Sequence, residues 1–158
     1  MKRFLSILIL LLLGGVLAQA NDPVSVRLDI FVVSQVGGEE TFAEASTARP
    51  GQVVEYRLYA RNEDETTLPA GSVVITGPIP EGTTFVANSA TEDEKKLTEY
   101  SVADDSFGEP PLFIAGEDGA RQIAAPTDYR AVRWTLLEPL EPGSEVAFVY
   151  RVTVEAED

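Results

Sequence analysis

The chain predicts an all-β fold, an antiparallel β-sandwich of about seven to nine strands. Three observations predict it. Apolar and polar residues alternate with a period of two in several runs of the sequence. Glycine and proline turn signals separate those runs. No window after residue 20 carries apolar residues at the 3.6-residue spacing of an amphipathic helix.

The first candidate strand is Val24–Ile30, with Val24, Val26, Leu28 and Ile30 on one face, as in a half-buried strand. Gly37-Gly38 with Glu39-Glu40 reads as a turn, and so does Arg49-Pro50-Gly51. The cleanest strand follows at 52–61: Val54, Tyr56, Leu58 and Ala60 alternate with Glu55, Arg57, Tyr59 and Arg61, and Asn62-Glu63-Asp64-Glu65 ends it as an acidic turn. Ser72–Thr76 is a short β-branched strand, broken by Gly77–Gly82 and resumed at Thr83–Val86. The polar stretch 88–98 reads as a loop, Glu99–Val102 as a short strand, 103–111 as a second loop, and Leu112–Ala115 as a strand before the turn Gly116–Gly119. Val132, Trp134 and Leu136 alternate with Arg133 and Thr135. After the turn Pro139–Gly143, Val146, Phe148, Tyr150, Val152 and Val154 form one face of a long strand at 145–155. The two longest runs, 52–61 and 145–155, are expected at the centre, their inward rows forming the core with Trp134 and Phe85.

Residues 1–20 have a different composition. Lys2-Arg3 precede an apolar run from Phe4 to Leu13, then Gly14-Gly15 and Ala18-Gln19-Ala20. This order of basic, apolar and small residues is that of a cleavable secretory signal peptide, with Ala18 and Ala20 read by the peptidase and Asn21 as the first mature residue. The apolar run is shorter than the roughly 20 residues a bilayer span needs. No cysteine follows it to carry a lipid, and the chain ends on Glu155-Ala156-Glu157-Asp158 without an anchor-like tail. The expected organisation is therefore a signal peptide at 1–20 and one domain at 21–158, exported to the periplasm, the cell surface or the medium.

Charge and composition exclude several classes of function. The 158 residues carry 12 basic and 26 acidic side chains, and removing Lys2 and Arg3 leaves a net charge of −16. A domain so acidic repels nucleic acid phosphates and anionic lipid headgroups. There is no cysteine and no histidine. The fold therefore has no disulfide, and the usual zinc, copper and haem ligand sets are missing.

Beyond residue 49 the sequence resembles a known family. Pro50-Gly51-Gln52-Val53-Val54-Glu55-Tyr56 through Asn62 is similar to the opening of a bacterial conserved repeat domain catalogued as domain of unknown function eleven. Val73–Thr83 with Phe85, Tyr100–Phe107, Val132-Arg133-Trp134-Thr135-Leu136, and Leu140–Gly143 through Val154 resemble its later segments in the same order, covering about 50–154. The resemblance implies an immunoglobulin-like β-sandwich of exported and cell-surface proteins, with no catalysis. The family pattern carries an Asp before its Leu-Pro pair, where this chain has Gly77-Pro78, so any role of that Asp does not transfer. Family members often form tandem arrays, and this chain holds one copy.

No catalytic constellation stands out. Without histidine or cysteine, an activated nucleophile would have to be a Ser–Lys pair, and Lys95 and Lys96 are adjacent in an acidic loop. No catalytic or cofactor-binding residues are assigned. Calcium is the one cofactor considered, with oxygen donors at Asn62–Glu65, Glu92-Asp93-Glu94 and Asp104-Asp105, none at EF-hand spacing. Tyr59, set between Arg57 and Arg61 on the polar face of its strand, has the composition of an interface hot spot. The expected function is a non-catalytic structural or interaction module of the bacterial cell envelope, presenting a sandwich surface or strand edge to a protein partner, with residues 21–49 as the pairing element. The alternative is a ligand- or calcium-binding accessory domain using the acidic loops.

Overall fold

A computed structural model of the chain describes residues 23–103 and 106–156. Eleven strands run through them: β1 (Val24–Val36), β2 (Glu39–Glu44), β3 (Val53–Asn62), β4 (Val74–Pro78), β5 (Thr83–Phe85), β6 (Lys96–Ser101), β7 (Phe107–Gly108), β8 (Phe113–Ala115), β9 (Arg121–Ile123), β10 (Ala131–Leu136) and β11 (Glu145–Val154). A 3₁₀ turn at Pro126–Asp128 precedes β10. The excess over the expected number comes from short pieces and from β2, whose acidic start reads as turn in the sequence. Gly37 and Gly38, with φ of 63° and 89°, make the two-residue turn that brings β2 back along β1.

The strands form an all-β sandwich. One antiparallel sheet has the order β2-β1-β3-β11-β5, the other β4-β10-β6-β7, and β8-β9 is a separate hairpin. As their length predicts, β3 and β11 lie side by side at the centre of the larger sheet, paired from Arg61–Glu145 to Val53–Thr153. Their inward rows, Val54, Tyr56, Leu58 and Ala60 with Phe148, Tyr150, Val152 and Val154, are buried. Trp134 of β10 is completely buried and packs on Phe148 and Tyr150, its indole N–H donating to the Thr91 carbonyl at 2.9 Å. Phe85 is buried with Tyr100 and Tyr129.

Tyr150 fixes where β4 sits. Its ring stacks on Tyr56 of β3 with centroids 4.9 Å apart, and its hydroxyl donates to the Pro78 carbonyl at 2.6 Å. Burial raises the pKa of this hydroxyl, so it stays a neutral donor. A Cβ on Gly77 would lie 2.6 Å from the ring. The absence of a side chain at Gly77 is thus demanded by packing. Gly77→Ala is expected to lower stability by about 1–3 kcal/mol, because Tyr150 is held from behind and cannot yield. Urea denaturation measures this, and an unchanged midpoint would show that β4 moves away cheaply.

Candidate functional site: an uncovered step on the inner face

The residues of β3 singled out in the sequence share the outer face of the larger sheet. Cross-strand register sets Tyr59 between Arg27 of β1 and Ala147 of β11, and Arg57 between Asp29 and Val149. The Arg27 guanidinium lies over the Tyr59 ring at 3.9 Å. Arg57 is hydrogen-bonded to Glu55 at 2.6 Å and stacks on Phe31 and Phe42 at 4.4 and 4.8 Å. Arg61 pairs with Glu63 at 3.4 Å. The structure therefore brings Tyr59 and Arg57 into a packed layer built with β1 and β2, and leaves Arg61 at its exposed end. The signal-peptide residues Ala18, Ala20 and Asn21 lie outside the described residues.

Sequence alternation did not single out Glu55 beside them. Although it points to the outer face, it is only 3% exposed. Arg57 and Arg151 each donate to one of its carboxylate oxygens, at 2.6 and 2.7 Å. Arg151 also grips Glu40 of β2 with two bonds of 2.8 Å. This bidentate clasp ties the β1–β2 hairpin down onto the sheet. Hydrogen bonding from Arg151 lowers the Glu40 carboxyl below its ordinary value, against the smaller opposing effect of burial. Since the folded-state value lies below the unfolded one, the clasp is at full strength above the ordinary glutamate range and is lost as pH falls through the lowered value. Acidification is therefore expected to loosen β2 before the core. Amide exchange of β2 should speed up in acid in the wild type, whereas Glu40→Gln should lack that acid-induced step. The same acid response in both proteins would exclude the clasp as its cause.

Several side chains of the acidic runs considered for calcium are engaged by the protein itself. The Asn62 side chain donates to the Thr66 and Leu140 carbonyls, both at 2.9 Å, and accepts from the Asp64 amide at 2.9 Å. Glu92 accepts from the Tyr100 hydroxyl at 3.0 Å, and Asp93 accepts from the Lys95 amide and the Lys96 ammonium. Asp104-Asp105 lie outside the described residues. Among the described residues no group of three or more Asp or Glu side chains is arranged to hold a metal ion, and no helix is long and apolar enough to cross a membrane.

An unmatched surface lies on the inner face. Val26 and Leu28 of β1 stand opposite Ala60 and Leu58, on the same side of the sheet as the core. Yet they are 45% and 37% exposed, while Ala60 and Leu58 are buried. The reason is the unequal width of the two sheets. The smaller one ends at β4, which Tyr150 holds over β3 and β11, so the inner row of β1 extends past that edge. Toward Ile30 and Val32 the segment Ala45–Ala48 closes over the row, and these four residues help line a small apolar cavity there. Val26 and Leu28 are left as an apolar step beside the free edge of β4. β1 is paired on both sides only from Phe31 to Val33, its Ser25–Asp29 stretch pairs with β3 alone among the described residues, and β2 is the outermost strand of its sheet, so the segment 21–49 retains open edges. Alternation marked Val26 and Leu28 correctly as an inward row, but it cannot report whether anything lies opposite.

No protein-family model, curated protein or solved structure matches the chain.

Proposed function

We propose that the protein is a non-catalytic, exported interaction module of the bacterial cell envelope that presents its β-sandwich to a protein partner. The uncovered step at Val26 and Leu28 carries this reading. An alternating apolar row that belongs to the core face, left half-exposed beside an unpaired strand edge, is incomplete by itself and is completed by another chain. The leader-like residues 1–20, with Ala18 and Ala20 before Asn21, support export. The motif likeness over about 50–154 supports a surface-protein setting. The lack of histidine and cysteine supports a role without nucleophilic chemistry. On this reading the outer face with Tyr59 and Arg57 is a stabilising layer and the inner step is the contact surface.

Affinity capture from an envelope fraction tests it, with protein expressed from the full chain as bait. Wild type and Tyr59→Ala are expected to retain the same partner, and Leu28→Lys is expected to lose it while keeping its melting temperature. Capture that Leu28→Lys leaves unchanged and Tyr59→Ala abolishes would move the contact to the outer face. Capture of nothing above background would remove the reading.

A further inference from the structure

We infer that the step receives an extended, basic segment of another protein, added as a fifth strand to the free edge of β4. This rests on the interaction reading above and specifies the chemistry of the partner. β4 pairs only with β10 among the described residues. Val73 accepts from Leu136 at 2.9 Å and the Ile79 amide donates to Arg130 at 2.8 Å, so odd-numbered residues of this segment face β10. By the alternation of an antiparallel ladder, Val74 and Thr76 point their amides and carbonyls to the open side. Pro78, at the far end, has no amide to offer, which limits the open edge to these two residues.

Geometry places an added strand over the uncovered row. Strands in a sheet lie about 4.8 Å apart and facing sheets about 10 Å apart, so one more strand beside β4 moves the upper layer from β3 out over β1. Alternate side chains of that strand then point down onto Val26 and Leu28. Strand addition thereby satisfies the edge hydrogen bonds and buries the step in one event.

Charge selects the occupant. Between Asn62 and Glu94 the sequence holds no Lys or Arg, and it includes Asp64 and Glu65 where the chain leaves β3, next to Glu63, which pairs with Arg61. The cation nearest the step in β1, Arg27, belongs to the outer row, over Tyr59. The turn that leaves β3 opposite the start of this row is thus acidic, on a chain of net charge −14. A second copy would bring an equally acidic flank against it. A segment alternating apolar residues with Lys or Arg is attracted instead, its apolar face turned down onto Leu28 and Val26.

The test is an NMR titration of the full chain with three short synthetic peptides: one alternating Val and Lys, one alternating Val and Glu, and one of the first composition with its Val and Lys in two blocks. The alternating basic peptide is expected to bind in a salt-sensitive manner, with amide shifts concentrated at Val74, Thr76 and residues 26–30. The other two peptides, and the variants Leu28→Lys and Thr76→Pro checked for unchanged melting, should each weaken binding about tenfold or more. Equal binding of the block peptide, with shifts spread over the acidic loops, would reduce the effect to diffuse charge attraction and overturn the proposal. Equal binding of the acidic peptide at the step would overturn the basic partner but leave an interaction module. Self-association abolished by Leu28→Lys would replace the proposed occupant with a second copy. If no peptide binds but capture still depends on Leu28, the strand-addition proposal fails alone; if capture is also indifferent to Leu28, both readings fail.

Discussion

Glu55→Ala is expected to cost about 3 kcal/mol of folding stability, the larger part of it from the two cations left behind. Glu55 sits at the centre of the outer layer with its side chain 4% exposed, between Arg57 and Arg151. Deleting it leaves Arg57 among Phe31 and Phe42, which cannot accept its hydrogen bonds, and leaves Arg151 with Glu40 as its one carboxylate. Breaking a buried pair from one side usually costs about 3–5 kcal/mol. The lower end applies here because the Arg57 and Arg151 side chains keep 28% and 25% exposure and can recover some water. Glu55→Gln retains an acceptor and should lose about 1–2 kcal/mol. Glu40→Ala removes only the outer part of the clasp and should stay small by comparison. Denaturant midpoints for the three variants give the order, and amide exchange of β2 separates loss of the clasp from loss of the core. If Glu55→Ala falls within about 1 kcal/mol of the wild type, the cluster is a surface network and not a buried one.

The architecture was legible because burial in a sandwich is written with period two. Val54 to Ala60 and Phe148 to Val154 are core rows in sequence and in space, and Trp134 in phase with Val132 and Leu136 is completely buried. Local turn chemistry was legible too, as at Gly37-Gly38. The layers beyond nearest sequence neighbours were not. Glu55 reads as a solvent-facing residue of an alternating strand, and the Arg57 and Arg151 side chains that grip its carboxylate take it out of water. Tyr59 reads as an exposed aromatic, and the register with β1 then lays Arg27 on it. Gly77 reads as a turn breaker, while its lack of a Cβ is required by Tyr150, far along the chain. The step depends on the relative widths of two sheets, which no single strand encodes. Each of these is a non-local pairing, decided by which strands become neighbours and in what register.

Asn62→Ala is the second large loss expected, about 3 kcal/mol, because the buried side chain makes three hydrogen bonds across a turn. Asn62 is completely buried at the end of β3. Its amide nitrogen donates to carbonyls of Thr66 and Leu140, its oxygen accepts from Asp64, and its own backbone pairs with Ser144 and Gly143. Alanine removes the side-chain partner of the Thr66 carbonyl and the Asp64 amide and leaves the Leu140 carbonyl with the Leu68 amide alone, at about 1–3 kcal/mol for each group that water cannot reach. Asn62→Asp is the sharper test because it keeps the shape and the acceptor for Asp64. Its carboxylate would face two carbonyl oxygens with no donor to offer them, so it should cost at least as much as alanine at neutral pH. That environment raises the carboxyl pKa in the folded state above its unfolded value. The destabilisation is then present at high pH and shrinks as pH falls through the raised value, where the protonated acid regains one donor. The deficit of Asn62→Asp should therefore narrow in mild acid while that of Asn62→Ala stays constant, as thermal melts across pH would show. A pH-independent gap between the two variants would mean that the side chain swings out to solvent. The outcome bears on the step as well. Asn62 ties the acidic turn Glu63–Glu65 to Leu140 at the start of β11's approach, so loosening it should blur the charged flank on which selection of a basic strand depends, weakening peptide binding even where the core remains folded.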